Sequence, residues 1–458
     1  MSIAALELND VGLTLVLDGE VSAPSPAYAW FGRGPVTVGE PARAAARLEP
    51  LNVSNRFWYE LDDRPLPALP AAGRSNADLA FEHLTAVCGP MRERLQQVVA
   101  VVPGSIQPRQ LMLLLGIARE AQVPLAGFVD AAVAAAAAWG GQGRFIYVDM
   151  HLHEAVLTAV EVGTQARRER YEALPRAGWQ AFIDIWMKLV ADNFIARTRF
   201  DPMHDAQSEQ SLFAALPGWL TQLQADRAIE AEMSVGGETH RVPLTLELIE
   251  NEAQPLYSQI VLAAHRLRRA GHATTIALSD RAARLPGLLK RCNEFHDCDV
   301  AVFAAAAAPL AAAALDRAWN LQDENAELIR TATPLAAELA ARLAPVVAQR
   351  AQAVAAAAAP THALYRGMAH VVGARPLVIG TGAAGLGVNL QIGEASAGIS
   401  RVHCSLLRGG DGSATVIDHS RHGTWLNDER VVGRAPLRAG DRLRIGSPGV
   451  AIELIAVG

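Results

Sequence analysis

The strongest constraint on this 458-residue chain is a change of rhythm along it. Through residues 1–316, short apolar runs alternate with longer helical patterns. VVAVV (Val98–Val102) precedes a helical stretch from Pro108 to Gln122. FIYVD (Phe145–Asp149) is followed by a second apolar strand, AVLTAVEV, and TTIAL (Thr274–Leu278) by another helix-like stretch. Strands alternating with helices predict an α/β sheet core. Residues 317–359 are alanine-rich, with Pro345 interrupting the pattern and Pro360 ending it, and predict a helical connector, part of which could pack onto the first domain. Residues 360–458 turn to short β-type segments punctuated by glycine, among them RPLVIG, VHCSLL, TVIDH, GTWLN, DRLRIG and VAIELIAV. Their spacing predicts a small all-β sandwich. No internal repeat is visible in the sequence.

Composition removes several function classes. The net charge of −6 argues against general nucleic-acid binding. Residues 361–458 carry 10 Arg against 7 acids, +3, which leaves −9 on the rest. Lys occurs only at Lys188 and Lys290, as a GC-rich coding sequence would give. Cys88, Cys292, Cys298 and Cys404 form no CxxC pair and read as buried free thiols in a reducing compartment. The N-terminus has neither a basic n-region nor a long apolar h-region, and no apolar run reaches the ~20 residues a membrane span needs. A cytoplasmic protein without membrane insertion is expected.

The sandwich segment carries four clusters in order. Pro376–Gly380 is PLVIG, and Ser400-Arg401-Val402-His403 follows. Then come Asp418 to Asn427, DHSRHGTWLN, and Gly440 to Gly446, GDRLRIG. This order resembles the forkhead-associated (FHA) domain, with its I-G-R, S-R-x-H, S-x-N-G-T-x-x-N and G-D-x-I-x-I-G motifs. The resemblance implies a phosphopeptide-binding site at Ser400, Arg401, Arg421 and His422. It implies structural roles for Gly380, His403, Gly423, Thr424 and Asn427. A phosphothreonine carries about −2 charge and three acceptor oxygens, so guanidinium and hydroxyl donors held on loops suit it. Two positions depart from the pattern: Thr381 stands where the family has Arg after I-G, and His422 stands where it has Asn. Arg401 and Arg421 are the candidates to compensate. Phosphate-dependent and phosphate-independent protein binding both stay open.

The first 316 residues resemble the actin-like ATPase domain of DnaK-type chaperones. Asp10-Val11-Gly12-Leu13-Thr14 resembles the first phosphate hairpin, and the stretch Val98 to Trp139 the segment that follows it. Phe145–Leu157 stands at the second hairpin and Ala277–Pro286 at the adenosine loop. The resemblance implies nucleotide contacts at Asp10, Gly12, Thr14 and Asp149, with ATP and Mg²⁺ as the ligands. However, the second hairpin reads DMHLHE and the adenosine loop SDR, both without the glycines that let backbone approach a nucleotide. There is no GxxxxGK[ST].

Smaller constellations carry less. His151-x-His153 lacks a named third ligand, so no metal is expected. Arg266, Arg268 and Arg269 read as a solvated face, and no GxSxG marks a hydrolase. The expectation is therefore a scaffold: a pseudo-ATPase without cofactor or catalytic residues, whose FHA-like module docks a protein partner, one phosphorylated by a Ser/Thr kinase or unmodified. Two alternatives are an active chaperone-like ATPase with an appended phosphopeptide reader, and a structural component of a larger bacterial assembly.

Overall fold

The computed structural model describes all residues except 1–2, 33, 67–73, 270–273, 296–297, 316–326, 348–358, 366–367, 383–386, 394–397, 410–412, 428, 447–448 and 456–458. The chain divides into two units, Met1–Ala348 and Gln349–Gly458.

Two large sheets form the centre of the first unit. In one, β1 (Ala4–Glu7), β2 (Thr14–Leu17) and β3 (Glu20–Val21) form an antiparallel meander. β4 (Val98–Val102) and β5 (Leu125–Asp130) then add in parallel on the other side of β1. The helices α1 (Asn76–Cys88) and α2 (Pro108–Glu120) make the crossovers. In the other sheet, β6 (Gly143–Met150), β7 (Glu154–Val162) and β8 (Ala166–Pro175) repeat the meander. β9 (Thr274–Leu278) and β10 (Cys298–Val302) repeat the parallel addition. Both sheets thus contain the strand order third–second–first–fourth–fifth. The repeat lies in topology, which a reading for sequence periodicity does not reach.

Local sequence explains the elements. β4 is all Val and Ala and buried throughout, as a central parallel strand must be. α1 starts with a capping box between Ser75 and Asp78, and α2 with Pro in its first turn. α3 (Ala131–Trp139), capped by the Asp130 carboxylate, has all eight of its Ala and Val residues buried. It shares one core with Val99 and Val101 of the first sheet and Phe145 and Tyr147 of the second. α4 (Ala307–Ala313) joins the same core. Alanine is what allows helices to lie this close between two sheets.

Part of the expected connector packs onto the first unit, and it does so in part as strands rather than helix. β11 (Leu328–Ile329) pairs with β5, β12 (Thr331–Ala332) with β8, and β13 (Val346–Val347) with β10. Only Ala337–Leu343 is helical among the described residues of this stretch. Residues 327–347 belong to the first unit because their backbone groups find partners on its sheet edges. The rest of the expected connector, residues 317–326 and 348–358, lies outside the described residues. No helix among the described residues is long and apolar enough to cross a membrane. All four cysteines are buried and none is in a disulfide, and burial pushes the thiols of Cys88, Cys292 and Cys404 up to about 12.

The second unit is β-rich. β14 (His362–Tyr365), β15 (Met368–Val371), β20 (Thr424–Leu426), β21 (Glu429–Arg430), β23 (Arg442–Ile445) and β24 (Val450–Ile455) form one sheet. β16 (Leu377–Gly380), β17 (Leu390–Gln391), β18 (Cys404–Arg408), β19 (Ala414–Asp418) and β22 (Arg434–Leu437) form the other. Ile379, Leu406, Val416, Leu443, Ile452 and Leu454 share the core between them. The alternation of buried and exposed residues along β24 is the period-2 pattern of a half-buried strand.

Candidate functional site

At one end of the second unit, two loops are tied together. The first, between β17 and β18, carries Ser400, Arg401 and His403. Its backbone lies on the end of β16: Thr381 N–H donates to the Ser400 carbonyl at 3.2 Å and Gly382 N–H to that of Arg401 at 2.9 Å. A Cβ on Gly380 would lie 2.1 Å from the Arg401 carbonyl oxygen, so only glycine permits this approach. His403 is fully buried. Its Nδ1 accepts the Ser400 N–H at 3.1 Å, so the ring proton sits on Nε2, which faces the Gly423 carbonyl at 3.1 Å. Burial holds its pKa below the ordinary value, in keeping with this neutral ring.

The second loop, between β19 and β20, carries Arg421 and His422. The Asp418 carboxylate accepts from Ser420 N–H at 3.0 Å and from the Thr424 hydroxyl at 2.8 Å. Burial pushes this carboxyl up, but the Ser420 and Thr424 bonds hold it below its usual value. The Ser420 hydroxyl oxygen accepts Gly423 N–H at 2.7 Å, and Gly423 closes the loop at φ +99°. The Arg421 N–H donates to the Ser400 hydroxyl oxygen at 3.3 Å and joins the two loops. Arg401, Arg421 and His422 project into solvent. Asn427 lies elsewhere, bridging the β20–β21 hairpin to the turn before β23: it donates to Asp441 at 2.8 Å and accepts Arg442 N–H at 2.9 Å. Asp418 and Ser420 organise the second loop, a role the motif comparison did not assign them. Their Asp-x-Ser spacing ahead of Gly-Thr is the local signal for such a side-chain-bonded turn.

The first unit brings the other sequence candidates together. Asp10 lies between β1 and β2, and its carboxylate accepts Leu152 N–H at 2.6 Å from the hairpin between β6 and β7. Asn9 donates to Asp149 at 3.3 Å across the same junction. Asp10 and Asp149 are both buried. His151 stands between them, Nδ1 3.6 Å from Asp10 and Nε2 3.6 Å from Asp149. Burial opposes charge on this ring, yet the two carboxylates raise its pKa above the ordinary value. Arg281 lies 3.3 Å from Asp149 and 2.6 Å from Glu7. Gly12 is covered: a Cβ there would meet the Pro24 Cβ at 2.7 Å. Thr14 is buried at the start of β2.

His153 does not join His151. It faces Arg56 at 3.3 Å and the Asn55 carbonyl at 2.9 Å. Among the described residues no trio of His, Cys, Asp or Glu is placed to hold a metal. Beside the junction lies a cavity of about 770 Å³, lined by Val11, Leu152, Trp179, Phe213 and Leu220 and by the ion-paired Arg43 and Arg284.

Residues 377–446 match the family model of the FHA domain. This range contains both tied loops, and FHA domains are phosphopeptide-binding protein-interaction modules. No curated protein matches the chain.

Proposed function

We propose that this protein is an interaction adaptor. Its FHA domain reads a phosphothreonine-bearing segment of a partner, the product of a Ser/Thr kinase, on Ser400, Arg401, Arg421 and His422. One observation carries the reading: the Ser400 hydroxyl oxygen is occupied by Arg421 N–H, so its own proton remains to donate to an anion. Arg401 and Arg421 are exposed on the two joined loops, the first next in sequence to Ser400 and the second bonded to it through its backbone. Fluorescence polarisation of the full chain with a phosphothreonine peptide library, against the same library unphosphorylated, tests it. Preference for the phosphorylated library is expected; equal affinities overturn the phosphate role.

In the same reading, the first unit is an actin-like frame that serves as a scaffold without nucleotide turnover. The duplicated strand order supports the frame. Arg281 and His151 support the loss of nucleotide chemistry, because Arg281 already pairs with Asp149 and the His151 ring occupies the space between the two carboxylates a Mg²⁺ ion would need. Arg43 and Arg284 on the cavity wall are matched to Glu40 at 2.8 Å and Asp280 at 2.7 Å. One observation favours the rival reading of a nucleotide-binding ATPase: Asp10 and Asp149 do converge at adjoining hairpins. Calorimetric titration with ATP and Mg²⁺ separates the two. Saturable micromolar binding lost in Asp10→Ala would overturn the scaffold reading.

A further inference from the structure

We infer that Arg430 supplies a further guanidinium to the phosphate site, one that the motif comparison does not assign. This rests on the phosphopeptide reading above. Thr381 leaves the end of β16 without a cation, whereas a dianionic phosphate monoester is best held by more than one guanidinium. Arg430 comes from β21, directly opposite Trp425 of β20. The N–H of the next residue, Val431, donates to the Thr424 carbonyl at 2.8 Å, which fixes this strand beside the Gly423–Thr424 turn. The Arg430 side chain lies across Gly423. A Cβ placed there would be 2.8 Å from Arg430 Nε and 3.4 Å from its Cζ and Nη2. The guanidinium therefore rests on the residue that closes the Arg421–His422 loop and whose carbonyl meets His403.

Arg430 is exposed and has no hydrogen-bond or ion-pair partner among the described residues. Its neighbours show the contrast. Arg444 is stacked on Trp425 at 4.5 Å, and the Asp418 and Asp441 carboxylates are engaged within their own loops. Gly423 thus has two roles. Its positive φ forms the turn, and its missing side chain makes room for the arginine over it. The ligand class is a phosphate monoester on a peptide, held by Arg430 and Arg421 with the Ser400 hydroxyl.

The test uses the full chain and a peptide library randomised around one phosphothreonine, with its unphosphorylated counterpart. Arg430→Gln keeps the stem over Gly423 and removes the charge. It should weaken phosphopeptide binding about tenfold to a hundredfold, the usual loss for one charge-assisted hydrogen bond. Arg430→Lys should fall between it and wild type, and Arg434→Ala on β22 should match wild type. An unchanged unfolding midpoint in Arg430→Gln shows that the loss is local. If wild type prefers the phosphorylated library and Arg430→Gln binds it equally well, the role of Arg430 falls and the phosphopeptide reading stands. If wild type binds both libraries alike, both fall.

Discussion

The hydroxyl oxygen of Ser400 accepts the backbone N–H of Arg421 at 3.3 Å, so one side chain joins the two loops and keeps its own proton to donate. Ser400→Ala removes the joint and the donor together. Phosphopeptide affinity should fall by about tenfold or more, while Ser400→Thr, which keeps the hydroxyl, should retain most of it. Fluorescence polarisation with the phosphothreonine library measures both.

A guanidinium placed where Thr381 stands would enter beside Ser400, because Thr381 N–H already bonds the Ser400 carbonyl. Thr381→Arg should tighten phosphopeptide binding by roughly tenfold and leave the unphosphorylated library unchanged. The paired titrations read this directly, and a gain for both libraries alike would point to non-specific charge.

His403 is neutral in the fold, and burial keeps its pKa below the ordinary value of 6.5. The unfolded chain therefore takes up the proton first as pH falls. The ring's contribution is fully present above about pH 6.5 and is lost progressively below it. His403→Asn should accordingly lower the unfolding midpoint of the second unit most at pH 7.5, with the gap to wild type narrowing by pH 5. Calorimetric scans at the two pH values give the comparison.

Arg281 sits against Glu7 at 2.6 Å and Asp149 at 3.3 Å, all three buried. Arg281→Met leaves two buried carboxylates with less compensation. It should cost about 3–5 kcal/mol, and Glu7→Gln in the same chain should recover part of that. Urea unfolding of single and double variants measures the difference.

Much of the second unit was legible because its signals are local. Strand alternation, glycine at tight turns and the Ser-Arg-x-His and His-Gly-Thr clusters each act within a few residues. The structure places Gly380 under Arg401 and Gly423 at positive φ, positions where a side chain is sterically costly. Arg430 was not legible, because its placement depends on a hairpin pairing that brings it back over Gly423. In the first unit, VVAVV, FIYVD and TTIAL read correctly as strands from their β-branched, buried runs. Within residues 327–347 the strands were misread as helix because alanine-rich composition favours helix, while the decisive factor was open backbone on three strand edges.

By itself, then, the sequence determined the elements and the turn-forming clusters of the FHA domain, since those follow from contacts within a few residues. Tertiary structure alone decided the duplicated sheet order and the closing of the Asp10–Asp149 junction by Arg281 and His151. Glu7 and Arg281 are 274 residues apart, and no local preference encodes their meeting. Burial makes that meeting obligatory, since charges removed from water must find each other.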